Sequence, residues 1–282
     1  MGKPNKKGFT LIELLVVIAI IALLLSIVMP ALGRAKIFAQ KIICSNNLKQ
    51  QSLGTILYSN SNDSYVPMSG LGPWLWDTSF WMTNELSRHA GFSDLETFFC
   101  PANKTKRHDD ARFAQFSMIG AGPFPSPVSL RDETGLTPAQ QRSYYRVLPY
   151  LYMFDKYDAD GVSILNANLV TGAKANWIRK LSNVKATGSK KMIVDVIISQ
   201  QNTWNFFNIT AGGIVTLSGG TLVDSSNHPA RQRIYNGTNQ GPKPEGANVA
   251  FADGHVEWTD FGPPPPNSYI LHQYSQGQYF WW

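Results

Sequence analysis

From Phe9 to Met29 the only ionisable side chain is Glu13, and most positions are Leu, Ile, Val or Ala. An apolar run of about 20 residues, rising 1.5 Å per residue, matches the thickness of a bilayer core, so the pattern predicts a membrane-spanning helix. Helical periodicity continues beyond Pro30. Ala35, Phe38, Ala39, Ile42, Leu53, Ile56 and Leu57 fall on one stripe, and no proline interrupts between Ala31 and Tyr65. The expectation is one helix to about residue 60, with that stripe laid on later strands. Asn60-Ser61-Asn62-Asp63 supply the turn formers that end it.

The pattern then changes. Residues 68 to 150 carry Pro73, Pro101, Pro123, Pro125, Pro127, Pro138 and Pro149, so only short elements fit between them. The β-branched run Met192-Ile193-Val194-Asp195-Val196-Ile197-Ile198 reads as a central strand. Ala247 to Ala252 and His255 to Trp258 flank Asp253-Gly254, a dipeptide that favours a two-residue type I′ hairpin turn. After Phe261, Gly262 and four prolines form a stiff spacer before an aromatic tail, Tyr279-Phe280-Trp281-Trp282, which either packs back or meets a partner. Together these elements predict an α+β chain whose long N-terminal helix spans a membrane in its first half and packs on an antiparallel β-sheet head.

A length of 282 residues with 43% hydrophobic content suffices for one anchor and one sizeable head. Net charge is +6, yet Lys and Arg do not gather on one face, so nucleic acid is excluded as a partner. Glu13 is the residue that needs a reason, since a carboxylate at membrane depth costs about 3 kcal/mol on insertion scales. An ordinary secretory signal has a shorter apolar core and no acid within it. A plain uncleaved anchor explains the length but not Glu13.

The residues around Glu13 carry a resemblance. Lys6-Lys7-Gly8-Phe9-Thr10-Leu11-Ile12-Glu13 resembles the class III leader of type IV pilins and type II secretion pseudopilins. The resemblance implies that a prepilin peptidase cuts after Gly8, that the new terminus Phe9 is N-methylated, and that Glu13 and Pro30 stand at the fifth and twenty-second mature positions, where pilins keep a glutamate and a helix proline. Segments follow from it: 1–8 a cleaved leader, 9–60 the transmembrane and amphipathic helix, 61–262 a globular pilin-like head, and 263–282 the spacer and tail. The implied partners are the peptidase, an inner-membrane assembly platform and further copies of the chain in a helical filament. The implied place is the bacterial inner membrane, crossed once, with the head in the periplasm or on the cell surface. Loss of the leader, with Lys3, Lys6 and Lys7, leaves a charge of 6 − 3 = +3. Electrostatics supports the assembly role. Cutting at Gly8 creates an ammonium group on Phe9, and axially staggered subunits can set that cation against the Glu13 carboxylate of a neighbour, so that neither charge is buried alone.

Two weaker likenesses lie downstream. Asn47-Leu48-Lys49-Gln50 through Leu57-Tyr58 to Ser64-Tyr65-Val66-Pro67 resembles the helix end and loop of major pseudopilins. His228 with Asn248-Val249-Ala250-Phe251-Ala252-Asp253-Gly254-His255 resembles the H-X9-DG region of large pilin-like proteins, although 24 residues separate His228 from Asp253 here.

Other chemistry is less pointed. Cys44 and Cys100 are the two cysteines, and two states stay open for them, a disulfide or two buried inert thiols. Asp155, Asp158, Asp160 and Gly161 suggest a calcium loop, but Lys156 and Ala167 occupy ligand positions, so a polar turn is preferred and no cofactor is assigned. Trp74, Trp76, Phe80 and Trp81 could form a sugar platform, the basis of an alternative reading as an anchored carbohydrate-binding module, but core filling is the commoner use of aromatics. His228, Asp253 and His255 form no recognisable catalytic set, since no nucleophile motif accompanies them, and the chain is expected not to be an enzyme.

Overall fold

Helix α1 runs unbroken from Leu11 to Ser61 with Pro30 inside it, in a computed structural model that describes residues 10–68, 77–93, 95–103, 116–117, 144–154, 177–195, 197–199, 210–211, 225–226, 228, 245–260, 270–273 and 279–281. The chain forms two compact units, Met1–Gln40 and Lys41–Trp282. In the first, every large apolar side chain from Leu11 to Leu32 is exposed. Among the described residues α1 is the one helix long and apolar enough to cross a membrane.

In the second unit the remainder of α1 is followed by strand β1 (Asp77–Ser79), helix α2 (Phe80–Ala90) and a 3-10 turn at Leu95–Phe98. Strands β2 (Phe116–Ser117), β3 (Tyr144–Val147), β4 (Tyr150–Tyr152), β5 (Lys191–Asp195) and β6 (Ile197–Ser199) come next. They are followed by β7 (Thr210–Ala211), β8 (Ser225–Ser226), β9 (Gly246–Phe251), β10 (Val256–Asp260), β11 (Ile270–Gln273) and β12 (Tyr279–Trp281). The central sheet is antiparallel in the order β10-β9-β5-β4. Two smaller sheets have the orders β1-β3-β2 and β11-β12-β6-β8-β7, the latter with one parallel pair, β7 and β8. The α+β expectation is met.

The core gathers Leu48 of α1, Met82 and Leu86 of α2, Phe98, and Tyr150, Tyr152, Met192, Ile193 and Ala250 from the central sheet. Burying each of the larger side chains contributes about 1.5–3 kcal/mol. Helix α2, one of the short elements that fit between the prolines, is set by local chemistry. Ser79 Oγ accepts from Met82 N and Gly91 closes the other end at φ 77°, an N-cap and a left-handed C-terminal glycine. Phe80 is fully buried and Trp81 packs against the core, while Trp74 and Trp76 lie outside the described residues.

The face α1 turns inward is not the predicted stripe. Phe38, Ile42, Leu53 and Leu57 are exposed, whereas Cys44, Asn47, Leu48, Gln51, Ser52, Gly54, Thr55, Tyr58 and Ser59 are buried. The reason lies in what α1 covers. Around the 3-10 turn are carbonyl groups outside any ladder, and Asn47 Nδ2 donates to Phe99 O at 3.0 Å while Gln51 Nε2 donates to Thr97 O at 2.6 Å. An apolar face there would strand each carbonyl at a cost of about 1–3 kcal/mol.

Two strand expectations also change. The run Met192 to Ile198 is shared between β5 and β6, which belong to different sheets. The hairpin at Asp253-Gly254 is not type I′, because only Gly254 has positive φ, at 86°. Gly254 N donates to Phe251 O at 2.8 Å, which makes a type I turn closed by a left-handed glycine, the next commonest hairpin solution. Asp253 Oδ1 accepts from His255 N and stabilises that turn directly. The proline spacer lies outside the described residues, but the backbone of β12 pairs with β6 and β11, so this part of the tail joins a sheet.

Candidate functional site

Among the described residues two places carry chemistry, one in each unit. The first is the start of α1. Gly8 and Phe9, the expected cleavage and methylation positions, lie outside the described residues. Thr10 immediately precedes the helix, and Thr10 N and Oγ1 both donate to Glu13 Oε2, at 2.8 and 2.9 Å, while Glu13 N donates to Thr10 Oγ1 at 3.3 Å. This is a capping box, in which Thr and Glu three residues apart satisfy each other's backbone N–H. The Thr-x-x-Glu spacing was visible in the sequence. Glu13 therefore has a partner within its own helix, and a plain anchor, expected to leave Glu13 unexplained, does account for it. Its other oxygen, Oε1, has no partner among the described residues.

The second place is buried in the head. Cys44 of α1, Cys100 just after the 3-10 turn, Asp195 at the end of β5 and His228 each direct one ligating atom inward, and these atoms all lie within 4.8 Å of one another. Of the two states open for the cysteines, the structure holds the free thiols. Cys44 Sγ donates to Asp195 Oδ1 at 3.1 Å, Cys100 Sγ lies 3.5 Å from His228 Nε2, and His228 Nε2 lies 3.3 Å from Asp195 Oδ2. Asp195 is completely buried and His228 is 4% exposed.

An outer ring of contacts fixes Asp195, Cys44 and His228. Asn248 donates from its backbone N at 2.8 Å and from Nδ2 at 3.3 Å to Asp195 Oδ2. Tyr150 OH sits 3.4 Å from Cys44 Sγ. Glu245 N donates to His228 O at 2.9 Å, and the His228 ring meets Trp258 edge-on with centroids 5.2 Å apart. Lys41 lies over that tryptophan and pairs with Glu245 at 2.7 Å. Burial, then the neighbouring Cys100 thiol and the Asp195 charge, hold the Cys44 thiol well above its ordinary range. Burial likewise raises Cys100. For His228 burial opposes the charge, but hydrogen bonding and charge from Asp195 and Cys44 outweigh it and carry the pKa to about 10. Burial thus favours the protonated form of both thiols, and Asp195 favours the protonated form of the His228 imidazole.

His228 is therefore partnered by Asp195. His255 pairs instead with Asp253, Nδ1 to Oδ1 at 2.6 Å, and stacks on Phe251 in the half-exposed turn. Hydrogen bonds from the His255 backbone and ring hold Asp253 below the usual carboxylate range. Asp195 was the member that sequence reasoning passed over. Its signal was an acid inside an otherwise apolar β-branched run, where an unpartnered charge would not be tolerated. The stretch considered for calcium, Asp155 to Gly161, lies outside the described residues.

The prokaryotic N-terminal methylation motif matches residues 3–29 of the chain. That match supports a type IV pilin-like protein, processed by a prepilin peptidase and anchored by its apolar helix. None of the curated proteins and none of the solved structures matches the chain.

Proposed function

We propose that this pilin-like chain is a structural, non-catalytic subunit of a type II secretion pseudopilus or related type IV pilus-like filament, held in a bacterial inner membrane with its head outside. After cleavage at Gly8 and methylation of Phe9, subunits join through α1 under an inner-membrane assembly platform. The observation that carries this reading is the exposed apolar surface of α1. It runs from Leu11 to Leu32 and recurs at Ile42, Leu53 and Leu57 on the side opposite the one packed in the head. A membrane accounts for the first stretch. Apolar positions on a helix that already packs through its polar side call for a second protein surface, and copies of the same helix are the complementary one.

Glu13 fits that assembly. Oε2 caps its own helix, and Oε1 is available to the Phe9 ammonium of a neighbour. The rival, a monomeric anchored binding module, is favoured by the capping box, which gives Glu13 a purpose without any neighbour. The deciding experiment expresses the chain with its assembly machinery, shears the cells, and takes the intact mass of the filament fraction. Filaments built of chains that begin at methylated Phe9 are expected. Processed chains that stay monomeric in the membrane would support the rival.

A further inference from the structure

We infer that Cys44, Cys100, Asp195 and His228 form a structural zinc site that ties the outer part of α1 to the central sheet. This goes beyond the filament reading and does not depend on it.

The donor set is the first argument. Two sulfurs, an imidazole nitrogen and one carboxylate oxygen are ligands of a borderline divalent ion, whereas calcium and magnesium take oxygen alone. Geometry is the second. With bonds of about 2.3 Å to sulfur and 2.0–2.2 Å to nitrogen and oxygen, the edges of a zinc tetrahedron measure roughly 3.3–3.8 Å. Two of the contacts correspond to edges, 3.1 Å for Cys44 Sγ to Asp195 Oδ1 and 3.5 Å for Cys100 Sγ to His228 Nε2, and all four ligating atoms lie within 4.8 Å of one another. An ion is accommodated by closing the widest of these separations by no more than about 1.5 Å.

The surroundings are the third argument. Metal sites hold their ligands with outer hydrogen bonds, and here both Asn248 donors go to Asp195 Oδ2, which directs Oδ1 inward. The Tyr150 hydroxyl stands beside Cys44 Sγ, and the backbone of His228 is clamped by Glu245. A disulfide would need none of these outer contacts. All four ligands are buried, which leaves no open coordination position and marks the site as structural. Its ligands come from residues 44, 100, 195 and 228, far apart in sequence, so metal binding closes long loops and becomes folding energy.

The test uses the full chain extracted in mild detergent without added metal, which makes it independent of filament formation. Elemental analysis should find one zinc per chain, retained through gel filtration. After chelation, Co²⁺ should bind in its place with thiolate-to-cobalt charge-transfer absorption and the intense visible bands of a tetrahedral site. Cys44→Ser with Cys100→Ser should abolish both, and Asn248→Ala should weaken Co²⁺ binding by about 10–100-fold. Should the cysteine variant fail to fold, the wild type still decides. Alkylation of both thiols should be slow with metal and fast after chelator. A Cys44–Cys100 disulfide in non-reducing peptide maps, a metal-free chain with intact thiols, or zinc retained by the double variant would each overturn the site.

Discussion

Gly54→Ala tests how closely α1 and α2 approach. A methyl group at Gly54 would lie 2.6 Å from Leu86 O and 3.2 Å from Leu86 Cα, and both are backbone atoms of α2, which cannot rotate aside. Two effects oppose one another. Alanine in a helix interior is favoured over glycine by about 1 kcal/mol, while forcing an extra carbon into a filled contact costs about 1–3 kcal/mol. Since the contact falls well inside van der Waals distance and its partner is rigid, the steric cost lies at the upper end. The net loss is then on the order of 1–2 kcal/mol. For a domain of this size each kcal/mol moves the midpoint by about 2–4 °C, so thermal unfolding followed by near-ultraviolet circular dichroism should show a fall of about 2–8 °C. An unchanged or raised midpoint would mean that the helices do not meet at Gly54, and would refute the packing described for the inward face of α1.

Gly8→Ala should block cleavage, so that the intact mass of membrane-extracted protein keeps residues 1–8 and no filaments form. Chelated, reduced protein should lose stability as pH rises from about 6.5, the ordinary histidine value, through about 10 at His228. The sign follows because the folded chain holds that proton more tightly than the unfolded chain, and the raised thiols act in the same direction. Midpoints measured across that range should fall in the wild type and stay flatter in Asp195→Asn.

The parts legible in the sequence were those written in local patterns. The membrane span, the length of α1, the β9–β10 hairpin and the α+β class all follow from periodicity and turn residues. The inward face of α1 was not legible, because a helix covering unpaired carbonyls is selected for donors such as Asn47 and Gln51, and hydrophobic periodicity then points at the wrong side. The buried cluster was only half legible. Cys44, Cys100 and His228 stood out as residue types, but their meeting depends on long-range contacts such as Cys44 with Asp195 and Cys100 with His228, 151 and 128 positions apart. Asp195 was hidden inside a strand pattern. Helix α2 was masked by the prolines around it, although Ser79 and Gly91 mark its ends.

Glu13 is proposed to pair with the Phe9 ammonium of a neighbouring subunit, and the capping box decides how to test it. Glu13→Leu removes cap and charge together, whereas Glu13→Gln keeps an acceptor for Thr10 N and removes only the charge. If the charge pairing holds, the glutamine variant leaves each Phe9 cation buried without its anion, a loss of up to about 3–5 kcal/mol per contact. The measurement is the yield of sheared filaments from cells expressing Glu13→Gln with the native machinery, normalised to processed protein in the membrane. Processed, membrane-resident subunits with filaments nearly absent are predicted. Filaments at the wild-type level would contradict the pairing and reduce Glu13 to a helix cap.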